Sequence, residues 1–267
     1  MLFVLTSVGM SAGQQLEMKD ITSGAFRAEP LAAVQALSDG ESYAQLSPDA
    51  RRVVKYSFST GKEVGVLFDV AKVKGDKLES IDGYMMSPDG KRMLIQTNTQ
   101  RIYRHSFTAT YYIYDMHNNR IVPLSQNGAQ QTPLFSPDGN QIAFVRDNNI
   151  FLVKLLYDNA EVQVTKDGKR NEIINGIPDW VNEGEFSNDR AMVFTADSKQ
   201  LVWIRYDESQ VKQFSMPLFK GLKPEKREFA DYPGDYTYKY PIAGEQNAVC
   251  TVWSFYISSR QTRQMQI

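Results

Sequence analysis

Residues 175–186 read Asn-Gly-Ile-Pro-Asp-Trp-Val-Asn-Glu-Gly-Glu-Phe and set two carboxylates, Glu183 and Glu185, close to a bulky aromatic, Trp180. Carboxylates grouped on a short irregular segment suit the cationic group of a ligand. At about 4 Å and an effective dielectric near 20, a pair of opposite charges gains on the order of 4 kcal/mol before desolvation is subtracted. Whether the two carboxylates act together depends on the backbone at Gly184. On an extended strand, residues two apart share a face; on a helix they point about 200° away from each other. Pro178 followed by Asp179 and Trp180 reads as a helix start with Asp179 as its cap.

Few other residues offer catalysis or ligation. The chain has two histidines, His105 and His117, and one cysteine, Cys250, which excludes an intrachain disulfide and leaves little for a zinc site. No cofactor or metal site is read. Cys250 is expected to be a small buried residue in a strand, and His105 a structural strand residue, since neither a nucleophile nor a carboxylate partner can be assigned to it. Thirty basic residues against 31 acidic ones give a net charge of −1, which offers no electrostatic footprint for nucleic acid or an anionic membrane. With 42% hydrophobic and 23% charged residues over 267, the composition is that of one large globular domain or two small ones.

The elements that must position these groups are strands. Ser47-Pro48-Asp49-Ala50, Ser87-Pro88-Asp89-Gly90, Ser136-Pro137-Asp138-Gly139 and Thr195-Ala196-Asp197-Ser198 are four versions of one turn, at intervals of 40, 49 and 59 residues. Pro presets φ, Asp bonds back to its own backbone and Gly accepts positive φ, so each version closes a tight hairpin. Apolar runs flank every turn, as in Tyr84-Met85-Met86 before and Met93-Leu94-Ile95 after the second. A repeat of this period, rich in β-branched and aromatic residues, predicts an all-β chain, a β-propeller of four-stranded blades. With a closing hairpin over residues 247–265, the count is roughly four to five blades. The aromatic runs Tyr111-Tyr112, Tyr236 with Tyr238 and Tyr240, and Trp253 with Phe255 and Tyr256 are expected to pack blade cores and interfaces.

The first thirteen residues carry a short apolar run, Leu2-Phe3-Val4-Leu5, and end in Ser11-Ala12-Gly13, a pattern similar to the tail of a secretory signal peptide without its basic start. Export to the periplasm or cell surface is therefore expected. No other apolar run approaches the roughly 18 to 20 residues of a membrane span. The domain reading is residues 1–13 as leader, 14–42 as a lead-in and 43–267 as a partial propeller.

Two segments resemble the dipeptidyl peptidase IV family. Residues 175–186 resemble the family segment in which Asp-Trp-Val-Tyr precedes a run of glutamates and a phenylalanine. Residues 104–115, Arg-His-Ser-Phe-Thr-Ala-Thr-Tyr-Tyr-Ile-Tyr-Asp, resemble a second segment, and the likeness extends over most of the chain from about Ile21. The resemblance implies a propeller of about eight blades capping an α/β-hydrolase domain, the two together removing Xaa-Pro or Xaa-Ala dipeptides from peptide N-termini.

It also implies site residues. In the family, adjacent glutamates of the run hold the substrate's α-amino group. Glu183 aligns with the first of the run and Glu185 with the last, while Gly184 stands where one amine-binding glutamate is expected, so Glu185 carries the role over most directly. Asn182, where the family has Tyr, is a further departure. Arg104 aligns with the arginine that donates to a backbone carbonyl of the bound dipeptide, a task suited to five fixed donors and a permanent charge. The segment from Tyr206-Asp207-Glu208-Ser209 through residues 211–219 resembles the family's path toward a subunit interface, which makes a homodimer a candidate assembly; no chemistry is assigned to it.

No Gly-x-Ser-x-Gly nucleophile elbow is read anywhere in the chain, and neither histidine is read as lying downstream of a serine nucleophile in the hydrolase order Ser, Asp, His. The chain ends just after Trp253-Ser254-Phe255-Tyr256-Ile257 and a turn, like a blade interrupted. The expectation is thus a substrate-gating, N-terminus-anchoring propeller region without its catalytic domain, inactive by itself. The alternative is a non-catalytic secreted propeller that serves as a peptide- or protein-binding scaffold. An open array of blades would leave unpaired strand edges and an apolar blade face, calling for a partner, self-association or more chain.

Overall fold

The computed structural model describes residues 16–28, 32–218 and 234–266. The leader proposed for residues 1–13 lies outside them. Among the described residues up to Ala33 there is one short helix, α1 (Met18–Thr22), which buries no residue; the Asp20 carboxylate accepts the Glu17 backbone N–H at 3.0 Å. Among the described residues no helix is long and apolar enough to cross a membrane.

From Val34 onward the chain is a succession of antiparallel sheets. The first is a meander of β1 (Val34–Ala36), β2 (Ser42–Leu46), β3 (Arg52–Ser57) and β4 (Glu63–Asp69). The second runs from β6 (Gly83–Met86) through β7 (Arg92–Arg101) and β8 (Phe107–Asp115) to β9 (Arg120–Pro123), with the two-residue β5 (Lys74–Gly75) added in parallel at the edge. The third comprises β10 (Gln131–Phe135), β11 (Gln141–Arg146), β12 (Asn149–Lys154) and β13 (Ala160–Gln163).

The fourth sheet departs from this regularity. Both β14 (Ile173–Asn175) and β15 (Met192–Phe194) pair with β16 (Gln200–Asp207), β14 at residues 205–207 and β15 at residues 201–203. One edge strand is thus split by an insertion that carries helix α2 (Trp180–Phe186). A second insertion, the hairpin of β17 (Gln213–Leu218) and β18 (Gly234–Lys239), leaves the sheet after β16, and the chain returns as β19 (Val249–Tyr256) and β20 (Gln261–Gln264). Among the described residues four blades are formed, the lower end of the expected four to five and about half of what the family resemblance implies for a whole ring; the closing hairpin over residues 247–265 is the β19–β20 pair of the fourth blade, not a further blade.

The repeated turn works through its hydroxyl. Ser47, Ser87, Ser136 and Thr195 each donate to the Asp two residues on at 2.5 to 2.7 Å. The same oxygen accepts the N–H five residues on at 2.9 to 3.0 Å. The fourth position takes positive φ in every case, at Ala50 (55°), Gly90 (67°), Gly139 (70°) and Ser198 (58°). A turn closed by its own side chains needs no distant partner, which is why it recurs intact from blade to blade.

The blades stack through three apolar layers, and the period of two decides which residue enters which layer. Met93 and Ile95 of β7 face the first blade, with Phe68 and Ile81, whereas Leu94 joins Ile113 and Phe144 between the second and third. In β11, Ile142 and Phe144 pack toward the second blade, while Ala143 and Val145 pack toward the fourth, with Leu201, Trp203 and Phe255. Strands covered on both faces read as continuous apolar runs, and these do.

Two expectations about single side chains are corrected. Cys250 does lie in a strand, but it is exposed. It is the second residue of β19, ahead of residues 253–256, which pair with β20, so among the described residues no strand pairs with it on that side. Tyr236, Tyr238 and Tyr240 fill no blade core; they belong to or flank the inserted hairpin and form an aromatic cluster around Trp180 and Phe214.

Candidate functional site

Asp179 starts α2 as the sequence suggests. Its backbone is extended, and its Oδ1 accepts the Asn182 backbone N–H at 2.9 Å and the Asn182 side-chain amide at 2.7 Å. Ser187, in the left-handed region at φ 56°, ends the helix. Because the segment is helical, its two carboxylates part company. Glu183 is 6% exposed, and its Oε1 accepts the backbone N–H groups of His105 at 2.9 Å and Ser106 at 2.7 Å. Glu185 is exposed and forms no hydrogen bond or ion pair among the described residues.

His105 and Ser106 belong to residues 102–106, the loop joining β7 to β8, closed on itself by the Ile102 N–H donating to the Ser106 carbonyl at 2.9 Å. His105 is therefore a loop residue, not a strand residue, and contributes its backbone to the site. Arg104 of the same loop is exposed, and its Nη1 donates to the Gly184 carbonyl at 3.0 Å. A guanidinium at the last turn of a helix satisfies a carbonyl without an intrahelical partner and complements the negative end of the helix dipole. One bond leaves most of the fork's donors unused. Arg104 is thus fixed on the residue preceding Glu185, and Glu183 ties the two segments together from the buried side.

Aromatic rings complete the arrangement. Trp180 is sandwiched between Tyr103, at a centroid distance of 3.8 Å, and Tyr238 of the hairpin, at 4.1 Å, both rings inclined by 26°. Tyr236 stands 6.2 Å from the same indole, and the Arg104 guanidinium carbon lies 5.6 Å from the Tyr103 centroid. Beside this stack opens a cavity of about 360 Å³, with Trp180, Tyr103, Tyr236 and Tyr238 among its walls and Glu183, Asp189 and Glu208 as carboxylates in its lining; Arg104 and Glu185 are not part of that lining.

Glu208 was not legible as a site residue. It follows β16, is 6% exposed, and has its carboxyl pushed up to about 7, first by burial and then by the neighbouring Asp179 charge, with Lys239 opposing. Tyr103 and Tyr238 were not legible as site residues either: Tyr103 stands by itself in the sequence, and the alternation of Tyr236, Tyr238 and Tyr240 is that of any strand. A larger cavity of about 740 Å³, lined by Leu156, Tyr157 and Ile257 beside the turns of the third and fourth blades, contains none of Arg104, Glu183 and Glu185.

The reading that no Gly-x-Ser-x-Gly occurs is corrected: one such string, Gly9-Met10-Ser11-Ala12-Gly13, stands within the leader-like stretch, outside the described residues. Among the described residues neither imidazole makes a side-chain hydrogen bond, and no group of three His, Cys, Asp or Glu side chains is arranged to hold a metal ion.

Residues 87–267 match the family described as the dipeptidyl peptidase IV (DPP IV) N-terminal region. The chain is 41% identical over 169 residues to a probable dipeptidyl-aminopeptidase B of Emericella nidulans, covering 60% of this chain and 18% of the relative. To its counterpart in Chaetomium globosum it is 34% identical over 233 residues, 84% of this chain and 23% of the relative. The crystal structure of Porphyromonas gingivalis dipeptidyl peptidase 4 superposes with a TM-score of 0.87 at 38% identity, covering 95% of this chain and 35% of that one. A putative dipeptidyl aminopeptidase IV from Bacteroides ovatus shares the fold at 18% identity and a TM-score of 0.54, over 88% of this chain and 31% of that one. The chain therefore spans roughly a fifth of the length of these curated relatives.

Proposed function

The chain belongs to the dipeptidyl peptidase IV family as part of its N-terminal propeller region, and from that premise we propose that it gates access to, and anchors the charged N-terminus of, a peptide whose bond is cut by a hydrolase domain outside these residues. The observation that carries the reading is the clamp of Arg104 on the Gly184 carbonyl, which holds a cation with spare donors one residue from an exposed, unpaired carboxylate, Glu185.

The chemistry follows from those two groups. The Glu185 carboxylate accepts N–H bonds from a peptide's α-ammonium, and Arg104 donates to a carbonyl of the same ligand. Charge-assisted bonds of this kind are about twice as strong as neutral ones. A blocked N-terminus has neither the charge nor the donors, so the site selects free N-termini. Glu183 already spends one oxygen on the 105–106 backbone, and its part is to hold the loop that carries Arg104. The same proposal covers export, from the leader-like start, and self-association through the inserted hairpin, whose Phe214 and Met216 are each 38% exposed.

A chromogenic Ala-Pro nitroanilide offered to the purified chain tests the division of labour. Saturable binding without nitroaniline release is expected. Turnover would contradict it, and failure to bind at any concentration would overturn the anchoring role.

A further inference from the structure

Position 184 has no side chain, and the structure shows what lies in that space. A Cβ built on Gly184 would stand 3.2 Å from the Tyr103 hydroxyl and 3.3 Å from its Cε1, a tight contact that the ring would have to relieve by a few tenths of an ångström. The phenol therefore takes the volume that a side chain at 184 would enter. It is held there from two directions, by Trp180 stacked at 3.8 Å on the ring and by the Arg104 guanidinium carbon 5.6 Å from its centroid. The hydroxyl itself makes no hydrogen bond among the described residues, and Tyr103 lines the cavity beside α2.

We propose that Tyr103 is a specificity-determining contact of this site: its hydroxyl stands in for a side chain at position 184 and accepts a hydrogen bond from the ligand's ammonium alongside Glu185. This rests on the reading of the site as an N-terminus anchor. A phenol oxygen is both donor and acceptor and carries no charge at neutral pH. The site thus offers an incoming ammonium one carboxylate and one neutral oxygen, with an aromatic face behind them. The ligand class is a peptide with a free, protonated α-amino group and little bulk next to it, since the ring is wedged against the α2 backbone and cannot retreat toward it without meeting Gly184.

The pre-organisation matters as much as the contact. A hydroxyl on a ring clamped between an indole and a guanidinium loses little freedom on binding, so most of its hydrogen bond is available to the complex.

The test titrates the whole chain with Ala-Pro-Ala amide and with its N-acetylated form, comparing wild type, Tyr103→Phe and Glu185→Gln. Tyr103→Phe keeps the ring stack and so the fold, which an unchanged melting temperature and tryptophan emission would confirm. The expected result is a loss of about ten-fold in affinity for the free peptide in Tyr103→Phe, with the acetylated peptide unaffected. If Tyr103→Phe binds the free peptide as wild type does while Glu185→Gln weakens it, the role of Tyr103 is overturned and the anchor reading stands. If neither substitution weakens binding, the anchor reading falls, and this inference with it.

Discussion

Glu183 sits two residues from Glu185 and does something different, because the helix turns one toward the loop and the other toward solvent. Its Oε1 receives two backbone N–H groups, at 2.7 and 2.9 Å, at a position 6% exposed. Removing the carboxylate leaves two donors without a partner where little water reaches, so Glu183→Ala should destabilise the chain by about 2 to 4 kcal/mol. Glu183→Gln keeps an acceptor oxygen at the same reach and should lose only about 1 kcal/mol. Chemical denaturation of the three proteins separates these values; equal stability in all three would mean the carboxylate does not hold the loop. Part of this was legible. The Asp179 cap follows from adjacent residues, whereas the backbone at Gly184, helical or extended, is left open by them. Nor does it follow from them that Glu183 is the buried one, because its partners are 77 and 78 residues away in sequence.

At the scale of elements, the fourth blade is interrupted twice, the interruptions meet at Trp180, and the β7–β8 loop of the second blade joins them there through Tyr103 and Arg104. The turns of the other blades could be read from sequence, since hydroxyl, carboxylate and positive-φ residue lie within four positions of each other. The split edge strand could not: β14 and β15 become one edge only through pairing with β16, which neither resembles in sequence. The same holds for the tyrosines of the hairpin, whose period of two is that of any strand whether its face meets a core or a single indole. Glu208 reports on how this junction is held. It faces Asp179 at the start of α2, Lys239 at the end of β18, the Asn171 backbone and its neighbour Asp207. Its carboxyl ionises near 7 when folded, against an ordinary 4.5, so the folded chain keeps a proton that the unfolded chain gives up. The stability this contributes is present in full below about pH 4.5 and is lost as pH rises through about 7, on the order of 3 kcal/mol in all. Melting temperature should therefore fall between pH 5 and 8, and Glu208→Gln should flatten that fall. An unchanged slope in the variant would show that the junction does not close on a neutral carboxyl.

On the scale of the whole molecule, four blades stacked through three apolar layers bring the β7–β8 loop of the second blade onto the insertions of the fourth, so that Arg104 bonds the Gly184 carbonyl next in sequence to the exposed Glu185, and Tyr103 and Tyr238 stack on Trp180. The stacking was foreseeable from the repeat. The division of the acidic run into a structural and an exposed glutamate required the fold. The claim on which the account rests is that Glu185 reads the charge on a peptide's N-terminus, and the most direct measurement of it is the ratio of affinities for a free and an N-acetylated Ala-Pro peptide, taken for wild type and for Glu185→Gln. The account predicts a ratio well above one in wild type that falls to about one in the variant, chiefly by weakening of the free peptide. A ratio that stays the same when Glu185 loses its charge would contradict it.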